Sequence, residues 1–131
     1  DDQGTVTNTI EKGKPFGIRM KVRMNEPIEF PIFAYSIKDV KGTEITGTNT
    51  MYEKTEFDVA PIMEITFDQD MYLQGGDYLL SLGCTGYNGT DFTVYHRLYD
   101  VCNITVVSDK NTVGYYDMNS KVSVRTYETE V

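Results

Sequence analysis

At 131 residues the chain is one domain, with room for a single sandwich core but not two. Twenty acidic residues against 12 basic ones leave a formal charge of −8 and a pI near 4.5. That balance argues against nucleic acid and anionic membranes as partners, because both require a concentrated basic surface. No apolar run approaches the roughly 18 residues of a membrane span, so no direct membrane insertion is expected.

Ten Tyr, six Phe and frequent Thr and Val favour strands over helices. Strict alternation begins at Phe16, with Phe16, Ile18, Met20, Val22 and Met24 on one face and Gly17, Arg19, Lys21 and Arg23 on the other. Asn25-Glu26-Pro27 ends that strand, since proline cannot donate to a central ladder. Phe33, Tyr35 and Ile37 share the next strand phase. Asp39-Val40-Lys41-Gly42 then has the Asp-first, Gly-fourth pattern of a type I turn. A polar strand follows, with Gly47, Asn49 and Thr50. Met63, Ile65 and Phe67 alternate with Glu64 and Thr66, and Tyr78, Leu80, Leu82 and Cys84 repeat the pattern. A turn at Asn88-Gly89-Thr90 leads into a long strand from Phe92 to Val107, and Val122 and Val124 share a phase near the end. No window has a 3.6-residue period, so at most a short helical turn is expected.

About eight strands with turn signals between them predict an all-β, immunoglobulin-like antiparallel β-sandwich. Leu73-Gln74-Gly75-Gly76-Asp77-Tyr78 reads L-x-x-G-x-Y, which resembles a tyrosine corner. Tyr78 is therefore expected to bond back to the backbone rather than touch a ligand. Cys84 and Cys102 fall on two arms of one hairpin, one near the turn and one near its open end. Bridging them would need Cα atoms within about 7 Å, so free thiols and a reducing compartment are expected.

The run from Pro31 to Thr50 reads P-x-F-x-Y-x-I-K-D-x-x-G-x-x-x-x-G-T-N-T, and it resembles the C-terminal domain of Wzt. Wzt is the ATP-binding subunit of transporters that export O-antigen polysaccharide. Asp2, Gly4 and Gly13 are similar to the family's opening hairpin, Leu73, Gly76 and Tyr78 to its middle, and Asp100, Ile104 and Val106 to a later strand. After Ser108 the similarity weakens. The resemblance implies a non-catalytic, polysaccharide-binding sandwich on the cytoplasmic side of the membrane, joined to transporter subunits through its parent protein. The family has a further strand just before Asp1, so the chain is expected to be a piece of a longer protein. Nothing in the chain reads as a G-x-x-x-x-G-K-[ST] phosphate loop.

Enzyme chemistry finds little footing. The single His96 excludes a multi-histidine metal site, and no serine or cysteine lies in a recognisable nucleophile context. Asp68-Gln69-Asp70 offers two carboxylates for calcium but lacks the rest of a ligand series, so no metal or other cofactor is expected. The Tyr87–Asp100 segment, YNGTDFTVYHRLYD, is the best candidate. Sugar rings stack their C–H faces on aromatic side chains, and their hydroxyls seek planar or charged partners. Tyr87, Asn88, Asp91, Tyr95, His96, Arg97 and Tyr99 supply both, and Asn49 is added as a second contact to the same face. Packing roles for Tyr95 and Tyr99, and local backbone bonding for Asn49, are the plainer alternatives. The Arg19-Lys21-Arg23 stripe suits an acidic polymer or, more simply, a solvated sheet face.

Two other parent contexts fit the same strands: a secreted structural or adhesion module without a sugar site, and a carbohydrate-binding module of a polysaccharide-degrading enzyme. Asp109-Lys110-Asn111-Thr112 reads as a polar hinge. The terminal stretch behind it, within residues 108–131, is expected either to pair with its own sheet or to cross to a second copy in a homodimer.

Overall fold

The computed structural model describes residues 8–24 and 28–129, with the backbone alone for 92–101. Asp2, Gly4 and the Asn25-Glu26-Pro27 strand end lie outside the described residues. Seven strands form: β1 (Thr9–Glu11), β2 (Pro15–Arg23), β3 (Phe30–Asp39), β4 (Glu44–Asn49), β5 (Ile62–Asp70), β6 (Gly76–Asn88) and β7 (Asp91–Val107). Five make one sheet in the order β1-β7-β6-β3-β4, and β2 and β5 make a second, two-stranded sheet. All pairings are antiparallel except β1 with β7. The described residues contain no helix.

The alternation in the sequence is what holds the two sheets together. Phe16, Ile18 and Met20 of β2 are buried, while Gly17, Arg19, Lys21 and Arg23 between them are exposed. They meet Ile37, Tyr78, Leu80, Ile104 and Val106 in one cluster, and Phe33 and Cys84 in a second. Phe33 and Ile37 are among the most completely buried side chains, each contributing about 1.5–3 kcal/mol by leaving water. The ring of Tyr35 meets Phe67 edge-on at 5.0 Å, linking β3 to β5 across the layers.

The Asp39–Gly42 turn forms as expected. The Gly42 N–H donates to the Asp39 carbonyl at 3.1 Å, and Asp39 Oδ1 accepts from the N–H groups of Lys41 and Thr43. Gly42 sits at φ 92°, a conformation that disfavours a side chain. The register slip lies at this turn, between Ile37 and Lys38, so β4 is not bulged at Gly47. Gly47 has a different purpose: a Cβ there would lie 2.6 Å from the Tyr35 carbonyl oxygen. The corner also forms, with Tyr78 Oη donating to the Gln74 carbonyl at 2.5 Å. Cys84 is buried and Cys102 exposed, and both are free. They sit opposite His96 and Leu80 respectively, as the hairpin reading requires.

The end of the chain departs from expectation. No strand forms around Val122 and Val124, which are 84% and 82% exposed. The 109–112 segment is not a loose hinge either. Gln74 Oε1 accepts from the Thr112 N–H at 3.0 Å, its Nε2 donates to Thr112 Oγ1, and Asn111 Oδ1 accepts from the Gly75 N–H. A backbone bridge joins Leu73 to Tyr116, and beyond it Asp117 is buried. Its carboxylate meets Lys12 Nζ at 2.7 Å and Lys110 Nζ at 3.1 Å. The hydrogen bond from Lys12, then that from the Asn119 N–H, hold the Asp117 carboxyl well below the usual carboxylate range. The physical reason is satisfaction: buried polar groups at this end find partners within the chain, and these ties reach only as far as Asn119.

Candidate functional site

The register divides the expected site residues into two groups. Asn49 pairs with Ala34, Ala34 with Gly83, and Gly83 with Arg97. This row of backbone positions crosses the large sheet, spanning about 14 Å at one strand spacing per step. Its centre is floored by small residues, with Ser36 opposite both Gly47 and Ser81 in the next row. The second group lies at the hairpin tip, about 13 Å further along β6. Tyr87 pairs with Phe30 and Phe92, and Asn88 with Asp91.

Two irregularities in β7 explain why strand phase could not sort the rest. One extra residue, Tyr95, falls between the Thr85–Val94 and Cys84–His96 pairs. A wider slip places Tyr99, Asp100 and Val101 opposite Ser81 alone. Alternation does not carry across a bulge, so a face assigned from Leu98 does not extend along β7. The side chains of Tyr95, His96, Arg97 and Tyr99 lie outside the described residues.

Asn49 does backbone work where it stands, its Oδ1 accepting from the Tyr52 N–H at 2.7 Å. The turn it caps carries Lys54 at φ 54° and closes with the Thr55 N–H on the Thr50 carbonyl. Thr50 is buried, accepting from the Phe33 N–H through Oγ1 and donating its own N–H to the Phe33 carbonyl. At the tip, Asn88 Oδ1 accepts from the Glu29 N–H, and Glu29 Oε2 from the Gly89 N–H. These reciprocal bonds fix the hairpin to the start of β3.

Two depressions flank this turn, and both include Thr50 and Thr55. The first, about 330 Å³, is walled by Phe30, Met51, Phe57, Val59 and Tyr87, with Glu29 and Glu56 beside them. Phe57 rests against buried Phe33 at a ring separation of 5.9 Å. The second, about 530 Å³, opens between the unpaired edges of β4 and β5. Hydroxyls of Thr46, Thr48, Thr66 and Tyr35 line it, together with Glu53, Asp68 and Gln69. Thr48 Oγ1 donates to Glu53 Oε2 at 2.6 Å and so orients that carboxylate. Burial, then the charge of Glu53, push the Tyr35 hydroxyl upward in pKa.

Sequence reasoning singled out Tyr87 but passed over its neighbours. Two signals were available. Phe30-Pro31-Ile32-Phe33 breaks the alternation, and Phe30 is 62% exposed. Met51, Tyr52, Phe57 and Val59 are also unusual apolar residues for a turn-rich loop. Asp68 and Asp70 lie within β5, opposite Gly17 and Pro15. Among the described residues no three His, Cys, Asp or Glu side chains gather as a metal site.

An immunoglobulin-like β-sandwich with shallow, polar-aromatic grooves defines the class: an all-β module. The chain belongs to the Wzt C-terminal domain family, whose model matches residues 1–118. A solved structure described as the crystal structure of the C-terminal domain of wzt superposes with a TM-score of 0.80 at 24% identity. The alignment covers 89% of this chain and 74% of that one. Comparison with curated protein sequences returns no match. In the described residues no helix is long and apolar enough to cross a membrane.

Proposed function

We propose that this domain binds a cell-surface polysaccharide of the O-antigen type and presents it to the ABC transporter that exports it. Membership in the Wzt C-terminal domain family over residues 1–118 carries this reading. The grooves beside Tyr87 and Thr50 supply the matching chemistry: aromatic faces for sugar C–H surfaces and fixed carboxylates for hydroxyls. Tyr87, Asn88 and Asp91 form one contact region at the hairpin tip. Asn49 on β4 and Tyr95, His96, Arg97 and Tyr99 on β7 are the further contacts proposed beyond it. The free Cys84 and Cys102 support a reducing, cytoplasmic setting at the inner side of the membrane.

Such shallow surfaces bind weakly one at a time, and a homodimer would strengthen binding through effective concentration. The exposed Val122 and Val124 support a dimer in which residues beyond Asn119 pair with an open strand edge of a second copy. Asn119 stands at φ 52°, at the point where the tied segment ends.

Binding of the purified domain to glycopolymer from its source cells tests the function. Tyr95→Ala or Tyr99→Ala should weaken that binding by about 1–3 kcal/mol with the fold intact by circular dichroism. Unchanged affinity in both variants would remove these residues from the site. Light scattering on the chain with residues 120–131 deleted tests the dimer. A full chain that is already monomeric at high micromolar concentration rules out the exchange.

A further inference from the structure

Building on the glycan-binding reading, we propose that the two depressions flanking Thr50 and Thr55 together receive an uncharged sugar chain and reject one bearing carboxylates or phosphates. The lining residues carry the argument. Four carboxylates stand along them, Glu29 and Glu56 on the Tyr87 side and Glu53 and Asp68 on the β4–β5 side, with no Lys, Arg or His in either lining. Among the described residues no cation pairs with any of the four. Within the two linings nothing cationic offsets them.

Two of these carboxylates are held in place. Glu53 is oriented by the Thr48 hydroxyl and Glu29 by the Gly89 N–H, so neither needs to reorganise to accept a hydrogen bond. A sugar hydroxyl donating to a fixed carboxylate forms a charge-assisted bond. Thr46 and Thr66 add groups able to donate or accept, and Phe30, Phe57 and Tyr87 add apolar faces. A uronate or phosphate in the same place would meet like charge in a partly water-excluded cleft. The overall charge of −8 repels such a polymer before contact as well.

The basic residues of β2 do not reverse this. Arg19 and Lys21 are on the outer face of the small sheet, where Arg19 lies 3.8 Å from Glu64 and Lys21 pairs in register with the same residue. Glu64 and Asp70 share that face with them, so the stripe is not uniformly basic.

The test divides surface polysaccharide from the source cells by anion exchange into an uncharged flow-through and a salt-eluted acidic fraction. Each is titrated onto the immobilised domain at low and high salt. The uncharged fraction should bind with little salt dependence, and the acidic fraction about tenfold more weakly at low salt, the size of a modest like-charge penalty. The isosteric double variant Glu53→Gln/Asp68→Asn should narrow that gap several-fold. Acidic material that binds as tightly as the uncharged fraction, and weakens with salt, overturns the charge selection while leaving glycan binding standing. Absence of binding to either fraction overturns glycan binding itself, and the inference falls with it.

Discussion

The two ends of the sandwich use similar side chains to opposite purpose. At one end Lys12, Gln74, Asp117 and Tyr78 are buried or nearly so, and hydrogen bonds and ion pairs tie them inside the chain. A depression of about 690 Å³ opens beside them, but Lys12 and Lys110 already share Asp117. At the other end Phe30, Met51 and Tyr52 stand in solvent, and Glu29, Glu53 and Glu56 lack cationic partners among the described residues. Closed polar networks rigidify a fold, whereas unpaired groups and exposed rings are what a ligand can use. The difference teaches that an abundance of charge or aromatics does not mark a site. What marks it is whether those groups are already satisfied.

The sharpest way to break the contrast is from beneath the open end. Phe33 is fully buried and supports Phe57, so Phe33→Ala should cost about 3–5 kcal/mol in urea denaturation. It should also loosen the 51–60 loop, read as faster amide exchange there. A loss near 1 kcal/mol would mean that the loop collapses into the space, and the groove is softer than argued. At the closed end Gln74 is the joint, accepting from Thr112 and Lys12 and donating to Thr112. Gln74→Ala should cost about 1–3 kcal/mol by leaving buried partners unpaired. Exchange at Thr112 and Asp117 should rise with it, while glycan affinity stays unchanged.

Tyr78→Phe removes one hydrogen bond, that to the Gln74 carbonyl, and should cost about 0.5–1.5 kcal/mol. Weakened glycan binding at wild-type stability would move Tyr78 from the frame to the site. The smallest effect concerns acid. Asp117 is depressed in the folded state, so its contribution is complete above the ordinary aspartate value near 3.9 and declines as pH falls below it. Between neutral pH and about pH 5 the Lys12–Asp117 tie should therefore hold, and exchange at Asp117 should accelerate only in stronger acid. Acceleration already near pH 6 would assign the anchor to another group.

Much of the fold could be read directly from residue order, because strand alternation, turn chemistry and the corner act over a few neighbouring positions. The Phe16 phase, the Asp39–Gly42 turn, Tyr78 and the free cysteines all appear where local rules place them. The candidate site was less legible. Tyr87 was named for its type, but its neighbours Phe30, Phe57 and Met51 come from segments far apart in the chain. The two bulges in β7 cancel any face assignment made by counting.

Composition and pattern by themselves determined an all-β, acidic sandwich, since burial of alternating apolar residues admits few other outcomes. Tertiary structure alone decided three things. It set Asn49 and Arg97 on one row, it tied residues 111–117 down through Gln74 and Lys12, and it left Val122 and Val124 exposed. Each depends on which strand lies beside which and which edges stay open, and those are long-range pairings that no local preference encodes.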